Sequence, residues 1–592
     1  MDRYLRDSPL LRCLAIYARM PWRFLLTSFL LLVVNGSLPL QQYLFGRAID
    51  EIHHGEFVTK LADGGFDFHR AWFWFFLLTG LAALRGVVQY GAGVIALVIG
   101  QELLFILREK ILVQIQRLDL GYHWRHGVGE LVTRTTRDAD KVRDALVNFW
   151  RQIFETGLVI ASSVAILIWY SPWLGVPTLL LTTAGFLILI AQIEPLVALD
   201  RAVGLAYDAV NQDLTEGVHG VRVIKAFGLE AVRIQRFERQ VARFSDEARA
   251  ALAYAARRIP LPQFVVATSH VWVLAYGTRL IGEGSLDVGE LVASLLAVNV
   301  LVLRVEAIGP VMQIFADARS SAGRIWELLD ATPRIESGRE PAPSGPLGVR
   351  LENVRVAAPG GGKDILQDVS LEIAPGEAVA LVGATGSGKS VLMGLLPRLA
   401  DVDGGRVLIG SDESGWRDAR DVDLSALRKR VHVVPQESFL FSDTLAANLL
   451  LSAPEASEEK LRTALRVAAV DEILEQLPEG LDARIGDHGV TLSGGQRQRV
   501  CIARALLAEA AILGLDDATS ALDSATEQRL LSNIRELRSG GSKMTLLIVT
   551  SKLSTVLLAD RVVLLADGRV AADGTHESLK ATSAVYRDLM GI

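Results

Sequence analysis

Three stretches in the C-terminal half carry residues able to hold a nucleoside triphosphate and cleave it. "GATGSGKS", residues 383–390, directly follows the apolar run "EAVALV". Its glycines, Gly383, Gly386 and Gly388, let backbone N–H groups curl round phosphates, with Thr385 and Ser387 between them. Lys389 would reach the β- and γ-phosphates, and Ser390 would ligate Mg²⁺. The competing reading is a Gly-rich turn with a chance lysine. The full pattern arises by chance in a chain this long only about a few per cent of the time, and a strand before it with a helix after it lowers that further. The second stretch, "ILGLDDATSALD", ends an apolar run on Asp516, placed to hold the Mg²⁺ through water, and continues with Asp517. The third, "LIVTSKLSTV", carries Ser551.

Around these residues the chain must build a sheet. "EAVALVG", "VHVVPQ", "AAILGLDD", "TLLIVT" and "DRVVLLADG" read as strands, and "SVLMGLLPRLA" as a helix. Strands alternating with helices predict an α/β domain on a largely parallel sheet. It is expected over 349–592, behind a Pro/Gly/Ser-rich linker at 321–348.

The N-terminal half differs in kind. Half of all residues are hydrophobic, too many for an ordinary soluble chain of 592 residues. Six stretches have the ~20 apolar residues that a membrane helix needs: 24–47, 71–99, 149–170, 173–198, 259–281 and 288–314. They make an all-α transmembrane domain over 24–320, preceded by a lead-in helix at 1–23. Two long polar stretches, 101–148 and 199–257, are Arg-rich, and Arg3, Arg6, Arg12, Arg19 and Arg23 precede the first span. The positive-inside rule puts these regions, and so both termini, in the cytoplasm. The acidic loop "DEIHHGEFVTKLADGGFDFH" then lies outside, with the aromatic clusters "WFWFF" and "WYSPW" at the outer interface. The net charge of −6 gives no basic field for nucleic acid, and two distant cysteines give no disulfide framework, though one bridge stays open.

Between the phosphate loop and Asp516 stands "LSGGQRQR". With "SALD" downstream, this order resembles that of ATP-binding cassette proteins, and the whole chain resembles one half of an ABC exporter. "GELVTRTTRDADKVRDAL", "EGVHGVRVIKAFGLE" and "GTHESL" extend the likeness over the full length. The resemblance implies ATP and Mg²⁺ as ligands, with Gln436 sensing the Mg²⁺. It implies that Ser493, Gly494, Gly495 and Gln496 cap a nucleotide held by a second subunit, and that Asp523 lies across the seam. Turns near 127–138 and 212–220 would dock on nucleotide domains.

Three positions depart from the family pattern. Asp517 stands where a glutamate polarises the attacking water, Ser551 where a histidine is expected, and Ala358 where an aromatic ring stacks on adenine. The three departures line one pocket, while the phosphate loop, Asp516, Gln436 and "LSGGQ" are intact. The pattern implies a site that binds ATP and hydrolyses it slowly, in a heterodimer whose other half-transporter carries the glutamate and histidine. A working ATPase with loose motifs, a homodimeric exporter with two slow sites, or a nucleotide-sensing regulatory membrane subunit remains the alternative. Six apolar spans and the lack of long heptads argue against a soluble ABC ATPase of DNA maintenance. The cargo is expected to be hydrophobic or amphipathic (drugs, lipids or peptides), moved across a bacterial plasma membrane. Asn35, His270 and Asn299 near the bilayer midplane, and Arg85 and Gln89 on one face of span 2, read either as a cargo pathway or as interhelical hydrogen bonds. Arg304 and Glu306 read as snorkelling residues.

Overall fold

The structure is a computed structural model that describes residues 9–60, 66–306, 308–358, 363–486, 492–541 and 543–592. Arg3 and Arg6 and the side chain of Glu306 fall outside the described residues. The chain divides into two units, Met1–Gln116 with Gly127–Ala331, and Arg117–His126 with Thr332–Ile592.

The first unit contains six helices long and apolar enough to cross a membrane: Pro21–His53, His69–Arg117, Leu120–Tyr170, Pro172–His219, Glu230–Gly282 and Val288–Val305. Five of the six expected apolar stretches fall inside one of them; the sixth, 288–314, overruns its span, which ends at Val305, into the helix Ile308–Leu329. The middle four are much longer than a bilayer requires. At 1.5 Å per residue the 49-residue helix from His69 to Arg117 extends over about 74 Å, against ~30 Å of hydrocarbon. The polar stretches 101–148 and 199–257 are thus mostly continuations of the spans. Breaks fall where the chain loses helical geometry, as at Gly127, whose φ of 71° and ψ of 155° interrupt the helix. A π-helical turn at Arg134–Asp138 follows. Asp138 is buried there and accepts from Ser321 Oγ at 2.9 Å and Arg324 Nε at 2.8 Å. This fixes the turn to the helix Ile308–Leu329, which runs well past position 321, where the linker was expected to start. The aromatic clusters are exposed as an interfacial belt should be, with Trp72 and Trp169 outward and Trp74 turned inward.

The segment Arg117–His126 groups with the second unit, upstream of the first docking turn expected at 127–138. Cys13 and Cys501 are both buried and free, which closes the question of a bridge.

In the second unit, a six-stranded sheet runs in the order Arg569–Gly574, Arg561–Ala566, Ala378–Val382, Thr545–Val549, Ile512–Asp516, Val431–Val434. All but the first of these strands are parallel. Every residue of Ala378–Val382, Ile512–Asp516 and Thr545–Val549 is buried, the all-apolar pattern of parallel strands covered on both faces. A second, antiparallel sheet of four strands, from Gly348–Val356 to Arg417–Asp418, was not foreseen. Its alternating burial in Leu366–Ile373 shows one face packed and one open to solvent. The protein is therefore an all-α six-helix membrane unit followed by an α/β domain.

Candidate functional site

The phosphate loop leaves the C-terminal end of Ala378–Val382, which lies between Thr545–Val549 and Arg561–Ala566 in the sheet. That is where open α/β sheets bind ligands. Glycine is required at both ends of the loop. A Cβ on Gly383 would lie 2.2 Å from the Leu565 carbonyl oxygen. Gly388 has φ of 99° and packs against Ile365 and Leu366. The helix Lys389–Leu395 follows at once.

A cavity of about 470 Å³ opens at these strand ends. It brings together Gly383, Thr385, Gly386, Gly388, Lys389, Ser390, Gln436, Asp516, Asp517 and Ser551. These residues come from four segments of the chain. Ser387 sits beneath the loop, buried, and accepts from Lys389 Nζ at 3.4 Å. The same ammonium donates to the carbonyls of Gly383 at 2.7 Å and Ala384 at 2.9 Å. Burial lowers the Lys389 pKa, and Asp516 and Asp517 oppose that shift.

Ser390 donates to the carboxylate of Asp516. With the Gln436 amide nearby, the donor set is entirely oxygen, which fits the hard Mg²⁺ ion. Burial raises the pKa of Asp516, moderated by Ser390 and Lys389. Asp517 is raised too, first by burial and then by the charge of Asp516. Two adjacent desolvated carboxylates make a local excess of negative charge that a divalent cation bound to phosphates would offset.

Asp517 is held by its backbone. Its φ is 49°, in the left-handed region, and its N–H donates to the Val549 carbonyl at 3.0 Å. Its carbonyl accepts from Ser520 N at 3.1 Å. The segment behind it is tied down by Glu527, which is 3% exposed. Glu527 accepts from Thr519 Oγ1 at 2.9 Å and Thr555 Oγ1 at 2.7 Å, and pairs with Lys552 Nζ at 3.1 Å. Lys552 also donates to the Thr519 carbonyl and lowers the pKa of Asp517. Sequence reasoning missed both residues. The only signal was a lysine immediately after Ser551.

The other expected site residues lie elsewhere. Ser493 caps the helix Gly494–Leu507, its Oγ accepting from Gln496 N at 3.2 Å while Gln496 Oε1 accepts from Ser493 N at 2.8 Å. This capping box leaves Ser493 exposed at the helix start, and none of Ser493, Gly494, Gly495 and Gln496 lines the cavity. Ala358 is half-buried beyond the end of Gly348–Val356 and does not line it either. Asp523 caps the helix Ser524–Ser539, accepting from Ala525 N at 3.1 Å and Thr526 N at 3.0 Å.

Residues 24–305 match the ABC transporter transmembrane region, and 366–520 match the ABC transporter family. The chain is 32% identical over 580 residues to the ATP-dependent lipid A-core flippase of Thiobacillus denitrificans, covering 97% of this chain and 96% of that one. The chain belongs to the ABC transporters. It is a half-transporter, with its transmembrane region before its ATPase domain. It is also 28% identical to the multidrug resistance-like ATP-binding protein MdlA of Escherichia coli, over 97% and 95% of the two chains. A bacterial Atm1-family ABC exporter solved with ATP bound superimposes with a TM-score of 0.81 at 25% identity, over 98% of each chain. The half-transporter is accordingly an integral membrane protein whose C-terminal domain binds ATP.

The raised pKa of Asp517 sets a sign. Its ionised form is disfavoured in the fold relative to the unfolded chain, so it lowers stability at pH above its folded pKa, and the penalty fades as pH falls through that value. Asp517→Asn should raise the melting temperature of the nucleotide-free protein by about 2–4 °C at pH 8. The gain should shrink as pH is lowered toward the acid range. A gain independent of pH would point to backbone preference at φ 49° as the cause.

Proposed function

We propose that this half-transporter is one subunit of a heterodimeric, ATP-driven exporter or flippase for anionic amphipathic compounds. Its own ATP site acts as a slow clasp, and its Leu492–Gln496 motif completes the faster site of its partner. The observation that carries this reading is the pair Asp517 and Ser551 facing one cavity whose phosphate loop, Asp516 and Gln436 are intact.

Hydrolysis needs a water aligned with the γ-phosphorus. As it attacks, the bond to the ADP leaving oxygen breaks and the water's proton passes to a base. Loop amides and Lys389 hold the phosphates and offset the charge that moves onto ADP. Bound Mg²⁺ would supply further neutralisation beside Ser390, Asp516 and Gln436. Asp517 is one methylene shorter than glutamate, and its hydrogen-bonded left-handed backbone does not bring the carboxylate forward to compensate. A shortfall of ~1 Å can lower the rate by about 10²-fold. Ser551 cannot supply the second ring donor of a histidine to the γ-phosphate.

Two surfaces support assembly with a second chain. The helix Val221–Phe227 buries none of its residues, and Val218, Val221, Val223 and Phe227 are exposed on the segment around it. The capped Ser493 likewise points away from this chain's own cavity. A homodimer is favoured by one observation: burial and Asp516 raise the pKa of Asp517, which makes its ionised form a stronger base.

The cargo class follows from charge in the membrane unit. Arg85 of span 2 donates to Gln41 Oε1 of span 1 at 3.1 Å, and its Nε is buried without a partner. Arg304 of span 6 is within electrostatic reach of Arg85 and pairs with Glu155 of span 3 at 3.4 Å. It is therefore bound inside the bundle, contrary to the snorkelling expected of it. Arg151 shares the same carboxylate at 4.0 Å. Among the described side chains, three guanidinium groups and one carboxylate leave a positive excess where unpaired charge is expensive, and an anionic headgroup would offset it. The neutral candidates are weaker. Asn35 donates to the Leu31 carbonyl at 2.8 Å and His270 bonds the Ala267 carbonyl at 3.3 Å, both within their own helices, while Asn299 and Gln89 are exposed.

Steady-state hydrolysis tests the assignment of the ATP site. The chain purified alone should turn over slowly, and Asp517→Glu combined with Ser551→His should accelerate it by about 10–100-fold. Co-expression with a half-transporter carrying the glutamate and histidine should also restore turnover. Brisk hydrolysis by the unaltered chain alone would establish Asp517 as competent and favour the homodimer. For the cargo, Arg85→Ala should abolish stimulation of the complex's ATPase by anionic lipids and leave its basal rate unchanged. Retained stimulation would remove Arg85 from the pathway.

A further inference from the structure

Spans 1 and 2 meet the acidic loop at an apolar groove that the transport cycle proposed above does not use. The groove encloses about 720 Å³, and all its lining residues are apolar, among them Phe45, Ile52, Phe57, Phe68, Ala71 and Phe75. Ile52, Phe57 and Phe68 lie outside the stretches 24–47 and 71–99 that the hydrocarbon core would cover, yet Ile52 is 55% and Phe68 51% exposed. Phe45 and Phe75, on the membrane side, are 43% and 54% exposed. The apolar surface of the two spans thus continues without a break from the bilayer into the interfacial region. There, exposed aromatic and branched side chains would face water.

The loop is folded so as to hold this shape. Glu56 N and Phe57 N donate to the Glu51 carbonyl at 2.9 and 3.1 Å, after a turn at Gly55. Thr59–Lys60 pairs antiparallel with Phe66–Asp67, which brings Phe57 and Phe68 back toward the helices. Trp74 is almost fully buried, and its indole N–H donates to Glu51 Oε2 at 2.8 Å. The polar atoms are gathered at the rim: Arg70 pairs with Glu56 at 2.5 Å and approaches Glu51 at 3.7 Å.

We infer that this groove is a binding site for a phospholipid with a zwitterionic, ammonium-bearing headgroup, one acyl chain lying in the groove and the headgroup on the Glu51–Glu56–Arg70 rim. Continuity with the exposed apolar surface of spans 1 and 2 supplies the acyl chain. The rim supplies the headgroup match: two carboxylates for an ammonium and one guanidinium for a phosphate diester. The leaflet, but not the site, depends on the orientation expected from the positive-inside rule. A phospholipid of the outer leaflet is the occupant under that orientation.

Photolabelling of the full-length protein in nanodiscs tests this. Two probes carry a diazirine at the acyl terminus, one phosphatidylethanolamine and one phosphatidylglycerol, and the labelled peptides are mapped by mass spectrometry. The phosphatidylethanolamine probe should concentrate on peptides within 45–78. Ala71→Trp, which fills the groove, should cut that labelling about tenfold while labelling of the other spans is unchanged. Ile52→Glu, at an exposed position that tolerates a polar side chain, should do the same, and unchanged labelling of the other spans shows that the membrane unit of either variant is folded. Labelling spread evenly over all spans, or unaltered in both variants, would mean annular lipid only and would overturn the site. Equal labelling by phosphatidylglycerol would overturn the headgroup assignment. Absence of lipid label from 45–78, as when a second copy covers the groove, would overturn the proposal outright.

Discussion

Two carboxylates on successive residues, Asp516 and Asp517, stand at the end of a buried strand beside a single partly desolvated lysine. Most of the nucleotide domain is arranged around that electrostatic problem. Burial raises both carboxylate pKa values, and the groups that ease the strain are the Ser390 and Ser520 hydroxyls, Lys389, and Lys552 from behind. A site like this favours a ligand that brings a divalent cation and phosphates together. Glu527 anchors Lys552 in turn, so the position of Asp517 depends on a buried network that touches no nucleotide. Under the proposed function side-chain length decides what the site can do, since the backbone of Asp517 is hydrogen-bonded to the neighbouring strand at Val549.

Charge is managed differently in the membrane unit. Glu155 partly neutralises Arg304 and Arg151, while Arg85 has only an amide partner from Gln41. At the π-helical turn outside the hydrocarbon region the buried carboxylate is paired: Asp138 accepts from Ser321 and Arg324. A π-turn commonly marks a place where a helix changes function, and here it stands between the Arg117–His126 segment and the membrane helix that follows. Incompletely compensated charge is found at both places where the proposed function has a ligand, an ATP phosphate in one unit and an anionic headgroup in the other.

What could be read in advance follows from how local each signal was. The phosphate loop, the five strands named from apolar runs and the six spans each occupy one continuous stretch, with a period or a glycine pattern that physics ties to one geometry. The antiparallel sheet escaped notice because its strands, such as Leu366–Ile373, mix polar and apolar residues across 70 positions of chain and pair only through tertiary contact. Arg304 was misread for a related reason. Its partner Glu155 is 149 positions away, and no spacing within span 6 encodes it. The Lys552–Glu527 pair was invisible likewise. The docking turn at 127–138 is what the family resemblance implies; the segment just before it, Arg117–His126, groups with the second unit, and Gly127 ends a short helix there. Ala358 was expected at the nucleotide, but whether it meets the base depends on a loop path that sequence does not fix.

The most direct test of the central claim, that the Lys389–Asp517 site holds ATP without consuming it, is the chemical identity of the nucleotide it retains. The purified complex would be loaded with Mg²⁺ and radiolabelled ATP, allowed many turnovers, freed of unbound nucleotide, and cross-linked through an azido-adenine label so that each subunit is read separately. The account predicts intact ATP on this chain and ADP on its partner. Chiefly ADP on this chain, exchanging at the rate of overall turnover, would contradict it and make Asp517 an ordinary catalytic base.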